Sequence, residues 1–204
     1  FGDGANSNTV NFIGDITSEG LDARAFSFSD NDGNTLTMTG NIITEGSAAE
    51  GIKLFPGVTN ANIDMTGNIT TAGVSAAGLR LFDSESNTTN LTGNITTAGD
   101  NAFGLLLLQS DSNTTNLTGN ITTAGVSAAG LRLLTSDSNT TNLTGNISTS
   151  GQSAYGLFFA SSNSNTTTIN GNISTTGNVA NGLFIYTSNS NTTNLTGNIT
   201  TTGG

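Results

Sequence analysis

The sequence predicts an all-β fold, a parallel β-helix (β-solenoid) with about 26 residues per coil and seven to eight coils. Three observations support this prediction. The tripeptide Gly-Asn-Ile recurs at a nearly constant interval, apolar and polar residues alternate within each repeat, and equivalent positions of successive repeats carry similar residues. A fixed interval of roughly 20–50 residues is typical of a solenoid, a propeller or an array, and alternation with a period of two indicates strands.

The repeat interval is 26 residues throughout, except for one interval of 27. Gly14-Asp15-Ile16 is a variant first copy of the tripeptide, and the extra residue falls near Pro56-Gly57, where a turn tolerates an insertion. A propeller blade would need about 40–50 residues. The six-residue subperiod of the left-handed hexapeptide form is not seen. The preference for right-handed parallel crossovers therefore predicts right-handed coiling. Residues 1–204 are expected to form a single β-solenoid domain, either by themselves or as an excerpt of a longer array.

Each repeat contributes a thin apolar core from two predicted strand regions. Inward columns begin at Phe12 and Ile16 in the first region and at Phe26 and Phe28 in the second, and each continues with Ile, Leu, Met or Phe. A column of alanines beginning at Ala23 predicts a tightly packed corner. Because neighbouring coils pair at about 4.8 Å, seven to eight coils would form a rod roughly 35 Å long.

Asparagine occupies two further columns, which predict amide ladders along the rod. Stacked amides can donate to one neighbouring coil and accept from the other. The alternative is that these asparagines accept glycans, since many lie in Asn-x-Thr sequons, but glycans on every coil would collide. The Gly-Asn-Ile column is expected to be buried and comprises Asn41, Asn68, Asn94, Asn120, Asn146, Asn172 and Asn198. The second column comprises Asn8, Asn34, Asn87, Asn113, Asn139, Asn165 and Asn191, and lapses at Ala61.

Composition excludes several classes of function. The chain has 29 Asn, 37 Thr and 27 Gly, only 4 Lys plus Arg, and a net charge of −10, which argues against nucleic acid and anionic membranes as partners. It has no His, Cys or Trp, so catalysis would depend on carboxylates alone, and no cofactor is expected. No apolar run reaches the ~18 residues of a membrane span. Phe1-Gly2-Asp3-Gly4 lacks the pattern of a signal peptide, so any export signal is expected to be removed or to lie elsewhere.

The charged residues offer two weak candidates for a site. Glu85, Asp111 and Asp137 share one turn column, where Ca²⁺ could bridge carboxylates about 5 Å apart, although a solvated acidic turn explains the same pattern. The basic residues are expected at scattered outward positions without a carboxylate cluster, unlike the grooves of uronate-cleaving β-helix enzymes. They are Arg24, Lys53, Arg80 and Arg132.

Two outward surfaces could recognise a partner. Strict alternation on the second strand region would turn an apolar column outward and create a patch for lateral packing, whereas a bend of the chain would bury it in a corner. The column comprises Phe55, Phe82, Leu108, Leu134 and Tyr186, and it lies next to Leu106, Phe158 and Phe184. The outward pattern Thr88, Asn90, Thr92 resembles the threonine faces of ice-binding solenoids, with Asn interrupting the threonine pairing.

Repeats of the form Gly-Asn-Ile-Thr-Thr-Ala-Gly followed by x-x-Ala-x-Gly-Leu, between Asn8 and Gly203, resemble those of bacterial autotransporter passenger domains and related large surface adhesins. The resemblance implies a right-handed β-helix, export, and an extracellular or bacterial cell-surface location. The chain departs from these proteins in showing neither a translocator barrel nor a recognisable capping segment.

Two classes of function follow from this interpretation. The first is a non-enzymatic extracellular structural element, an adhesin stalk or a filament subunit that associates head to tail through its axial ends, at Asn8, Val10, Phe12, Leu195 and Ile199. The second is a surface that binds a host or environmental glycan, or ice. Near-identical middle repeats favour the structural role.

Overall fold

The chain forms a parallel β-solenoid of about 7 turns, in which three parallel sheets surround one apolar core. The computed structural model describes residues 4–203. Phe1, Gly2 and Asp3, which were compared above with a signal peptide, and Gly204 lie outside the described residues. Between residues 4 and 203 all regular secondary structure is β-strand. No helix in this range has the length and apolarity needed to cross a membrane. The predicted fold class is confirmed.

Each complete coil supplies one strand to each sheet, and the strands are numbered in chain order. The first sheet contains β1 (Thr9–Ile13), β4 (Thr35–Thr39), β7 (Asn62–Thr66), β10 (Thr88–Thr92), β13 (Thr114–Thr118), β16 (Thr140–Thr144), β19 (Thr166–Asn170) and β22 (Thr192–Thr196). The second contains β2 (Ile16–Ser18), β5 (Ile42–Thr44), β8 (Ile69–Thr71), β11 (Ile95–Thr97), β14 (Ile121–Thr123), β17 (Ile147–Thr149), β20 (Ile173–Thr175) and β23 (Ile199–Thr201). The third contains β3 (Phe26–Phe28), β6 (Ile52–Leu54), β9 (Leu79–Phe82), β12 (Phe103–Leu108), β15 (Ala129–Leu134), β18 (Tyr155–Ala160) and β21 (Leu183–Tyr186).

The strand register confirms the repeat and the position of its insertion. Equivalent residues pair in parallel, as Leu91 does with Leu117 across β10 and β13. The offset is 26 residues where Phe28 pairs with Leu54 and 27 where Thr35 pairs with Asn62. The extra residue therefore lies in the turn that contains Pro56, where it changes no strand pairing.

The predicted inward columns of Ile, Leu, Met and Phe form the core. The Gly-Asn corner divides the first of the two predicted strand regions into two strands. Each complete coil therefore has three strands, and the solenoid has three sheets. At this corner Gly119 has φ +148°, a conformation that side chains rarely adopt. The hand of the coil stays a prediction.

The remaining corners also depend on left-handed backbone, and most of their left-handed positions carry residues other than glycine. Ser112 and Ser138 have φ of 58°, as has Val179 at another corner. Non-glycine residues tolerate this region only at some cost. Hydrogen bonds to the stacked coils on both sides offset that cost, for example from the Ser112 N–H to the carbonyl of Asp137.

Candidate functional site

A buried asparagine ladder runs along the corner that precedes the first sheet. The backbone N–H of Asn87 donates to Oδ1 of Asn113 over 2.9 Å, and the Asn87 amide donates to the same oxygen over 3.1 Å. Asn113 repeats both bonds towards Asn139 and also donates to the carbonyl of Ser84. Asn87 is 1% exposed, so water cannot replace these bonds. The predicted ladder is confirmed for this column.

The ladder tolerates the predicted lapse in the coil that carries the insertion. The backbone N–H of Ala61 still donates to Oδ1 of Asn87 over 2.8 Å, so the acceptor keeps a partner although the amide is lost. Burial also leaves Asn87 inaccessible as a glycan acceptor, despite its sequon.

The Gly-Asn-Ile column forms a second ladder, but the expectation that it is buried is wrong. Asn94 and Asn120 are exposed, because the corner turns their side chains outside the coil. The N–H of Asn120 donates to Oδ1 of Asn94 over 2.8 Å, and Asn146 bonds to Asn120 in the same way. This column therefore carries hydrogen bonds that compete with water.

The two ladders point in opposite directions along the rod. In the buried ladder each residue donates to the following coil, as from Asn87 to Asn113. In the exposed ladder each residue donates to the preceding coil, as from Asn120 to Asn94. Each end of the described coils therefore presents one ladder's donors and the other ladder's acceptors.

A third ladder, on the outward face of the first sheet, was missed by the sequence analysis. The Asn116 amide donates to Asn90 over 2.8 Å and the Asn142 amide to Asn116 over 2.9 Å, while Asn90 donates to the carboxylate of Asp64. The outward position of Asn90 was predicted, and its recurrence every 26 residues was the available signal. These amides bond to each other between the Thr88 and Thr92 columns.

The candidate calcium column also behaves as a ladder. Oδ1 of Asp111 accepts the backbone N–H of Asp137 over 2.6 Å, and Oδ1 of Asp137 accepts that of Asn163 over 2.6 Å. Within the part of the chain that the structure describes, no group of three or more acidic side chains is arranged to hold a metal ion. Glu85 is exposed at the same turn. The arrangement favours a solvated acidic turn in which aspartate substitutes for asparagine.

The expectation that the basic side chains are scattered is wrong, because all four lie on the outer face of the third sheet. The outward side chains of this sheet, named here the cationic-aromatic face, combine cations with apolar groups. Its members are Arg24, Lys53, Phe55, Arg80, Phe82, Phe103, Leu106, Leu108, Arg132, Leu134, Tyr155, Phe158, Phe184 and Tyr186. The sequence signal was the alignment of Lys53, Arg80 and Arg132 in one register.

A buried carboxylate organises three of these cations. Glu50 is 0% exposed; its Oε2 pairs with Arg24 over 2.6 Å, and its Oε1 pairs with Lys53 over 3.3 Å and with Arg80 over 3.0 Å. Both carboxylate oxygens are therefore occupied. This arrangement can hold three coils together, and burial keeps both oxygens of Glu50 away from any substrate.

Burial lowers the pKa of the Lys53 ammonium from its ordinary value, and the nearby Arg80 and Arg24 lower it further. The Glu50 carboxylate opposes them by attraction and by a hydrogen bond. Lys53 also lies 4.3 Å from the centre of the Phe55 ring, a favourable cation–π distance.

Glu50→Gln is expected to lower the melting temperature and to lower the pKa of Lys53 further. The substitution leaves three cations around a neutral side chain, which should cost about 3–5 kcal/mol. Since the folded-state pKa of Lys53 lies below its unfolded value, part of this loss should be recovered as the pH rises and Lys53 deprotonates. Thermal denaturation monitored by circular dichroism between neutral and alkaline pH measures both effects. An identical melting curve for the variant at every pH would contradict the assigned role of Glu50.

The predicted lateral residues occupy the outer face but differ in exposure. Leu106 is buried in a cluster with Phe103, whereas Phe82, Leu134 and Phe158 are half-buried. Tyr186 is 58% exposed. These side chains thus lie outside the coil, where they partly shield one another from solvent. Their use in lateral packing stays a prediction.

Aromatic rings and Arg132 form one stack on this face. The ring centres of Phe158 and Phe184 are 5.4 Å apart with the rings tilted by 27°, and Tyr155 lies 5.0 Å from Phe158. The guanidinium of Arg132 lies 4.9 Å from the Phe103 ring centre and 5.1 Å from that of Phe158. The ring faces are therefore turned to each other and to Arg132, and the ring edges face outward.

A cleft of about 240 Å³ lies between Arg80 and Arg132, with Phe103, Leu106, Leu108 and Leu134 in its lining. Arg80 has Glu50 as its counterion. Across residues 4–203, no carboxylate forms an ion pair with Arg132, and its Nε is buried without a hydrogen-bond partner. Burial lowers the pKa of the Arg132 guanidinium, with Tyr155 opposing the shift.

The fold and its ladders define the class of protein, a repetitive parallel β-solenoid with asparagine-laddered corners. Comparison with protein-family models, with curated proteins and with solved structures finds no match to this chain.

Proposed function

We propose that the chain is a non-enzymatic structural rod that extends by axial stacking, in which the last coil of one copy pairs with the first coil of the next. In a longer parent chain, further coils would occupy the same position. The observation that carries this proposal is the complementarity of the ladder groups on the two terminal coils of residues 4–203.

The buried ladder presents donors on one terminal coil and an acceptor on the other. The backbone N–H of Asn191 and Oδ1 of Asn8 have no partner within the described residues. Asn8 lies one repeat before Asn34, so in a stack it occupies the position that follows Asn191. The register of the ladder would continue across the junction.

The exposed ladder supplies the opposite pair. Oδ1 of Asn198 and the backbone N–H of Asp15 have no partner within residues 4–203, and Asp15 precedes Asn41 by one repeat. Two ladders of opposite direction therefore match at the same junction. If one copy were rotated about the rod axis so that a different corner lay over each ladder, the bonds of both ladders would be lost. The two ladders therefore favour a single rotational register at the junction.

The terminal coils also expose core side chains. Ile199 is 48% exposed, whereas the equivalent Ile147 is 1% exposed. At the other end, an open apolar cavity of about 240 Å³ is lined by Val10, Phe26, Phe28 and Leu36. Covering such surfaces releases water from apolar area and favours stacking.

The same repeats favour an extracellular location. Their resemblance to autotransporter passenger domains and surface adhesins suggests a stalk or filament at a bacterial cell surface. Repeated coils would give length and uniform stiffness there, and the occupied oxygens of Glu50 support a structural role over catalysis.

Electron microscopy and sedimentation of the purified chain test the proposal. We expect fibres with an axial repeat of roughly 38 Å, which corresponds to eight coils. Leu195→Asp places a carboxylate in the junction and should raise the concentration needed for assembly at least about tenfold. Thr118→Asp is the control, since it adds the same charge at an exposed position of an internal coil. A chain that stays monomeric up to its solubility limit would refute axial stacking.

A further inference from the structure

The cationic-aromatic face differs in charge from the rest of the protein. The chain has a net charge of −10, yet its four basic side chains all lie on this face, where the carboxylates of Glu50 and Asp22 form ion pairs with three of them. The aromatic edges that face outward carry partial positive charge. The face is therefore a positively charged and apolar strip on a strongly acidic rod.

Arg132 is the group on this strip that lacks an anion. It lies at the cleft shared with Arg80, and no carboxylate pairs with it in the described part of the chain. A partly desolvated guanidinium gains from a carboxylate placed at its free edge. The ring faces on both sides of Arg132 are already occupied by stacking, so a sugar has no open ring face to stack on there.

We propose that the cationic-aromatic face binds a second copy of this chain side by side, through the acidic turn column of that copy at Glu85, Asp111 and Asp137. The contact is separate from axial stacking and gives the proposed rod a second, lateral direction of assembly.

Equal coil spacing makes the two surfaces complementary. Arg80 and Arg132 are two coils apart, about 10 Å along the axis, and so are Glu85 and Asp137. Any two rods with parallel axes share this spacing, so both pairs can form at once. Asp137 uses one carboxylate oxygen within its own coil stack and keeps the other for a partner.

The size of the face predicts a weak contact. Seven strands of about 4.8 Å and an outward width of about five residues give roughly 550 Å² per partner, below the ~800 Å² of a standard interface. Pairs of single rods should therefore be transient and salt-dependent, and only rods lengthened by stacking would bundle stably.

Sedimentation velocity of the Leu195→Asp chain, whose axial junction is blocked, isolates the lateral contact. We expect reversible association at low ionic strength and its loss at high ionic strength. Asp137→Asn and Arg132→Gln should each weaken it about three- to tenfold. The contact joins two different surfaces, one from each copy. The Asp137→Asn chain keeps the cationic-aromatic face and the Arg132→Gln chain keeps the acidic turn column, so mixing the two variants should restore association.

Asp15→Asn is the matched control. Asp15 accepts the N–H of Asn41 over 2.6 Å, as Asp137 accepts that of Asn163, but it lies at the corner opposite the third sheet. Asparagine already occupies the Asp137 column at Asn163, so Asp137→Asn should preserve the fold. Melting curves of the variant verify this. The lateral proposal is overturned if the blocked chain stays monomeric at low salt, if Asp15→Asn weakens association as much as Asp137→Asn, or if mixing restores nothing. None of these outcomes affects axial fibre formation by the unmodified chain.

Discussion

Replacement of Asn113 by Leu is expected to destabilise the protein by about 2–4 kcal/mol, because it breaks the buried ladder in the middle of the rod. The substitution removes the acceptor for the Asn87 backbone N–H and the donor to the carbonyl of Ser84, both in a corner that water does not reach. Hydrogen exchange at the Asn87 amide should accelerate, and the melting temperature should fall.

Asn120→Leu provides the matched control within the same two coils. Asn120 makes equivalent bonds to its neighbours but is exposed, so water can replace its oxygen at the Asn146 N–H. We expect a loss below about 1 kcal/mol. Equal melting curves for the two variants would contradict the distinction between the buried and the exposed ladder.

Gly119→Ala is expected to cost at least about 3 kcal/mol and to disrupt the Gly-Asn corner of its coil. A Cβ at this position would lie 2.0 Å from the carbonyl oxygen of Gly93 in the preceding coil, and the backbone has φ +148°. The contact is with backbone that is hydrogen-bonded in every coil, so neither side can move without losing strand pairs.

The adjacent substitution Thr118→Ala should leave stability nearly unchanged, because Thr118 is exposed. Circular dichroism on heating and limited proteolysis compare the two variants. Since each coil contacts only its neighbours, damage at Gly119 should produce cleavage near that corner before the rest of the rod unfolds. A wild-type melting curve for Gly119→Ala would show that the coils are not packed as closely as described.

The coil length, the core columns and the insertion near Pro56 could be predicted from the sequence. In a solenoid each residue lies against its equivalent in the next repeat, so a one-dimensional period specifies a three-dimensional neighbour. The Leu91–Leu117 pair and the Asn87–Asn113 bonds follow directly from that rule.

Only the tertiary structure decided which residues of different columns contact each other and which corner side chains face solvent. Periodicity places Asn94 next to Asn120, but only the corner angle turns both outward while Asn87 turns inward. The ion pairs of Glu50 with Arg24 and Arg80 join residues from three coils. The period places Arg24 beside Glu50, because they are one repeat apart. The pair with Arg80 crosses columns, so it depends on the direction of each side chain around the coil, about which the period carries no information.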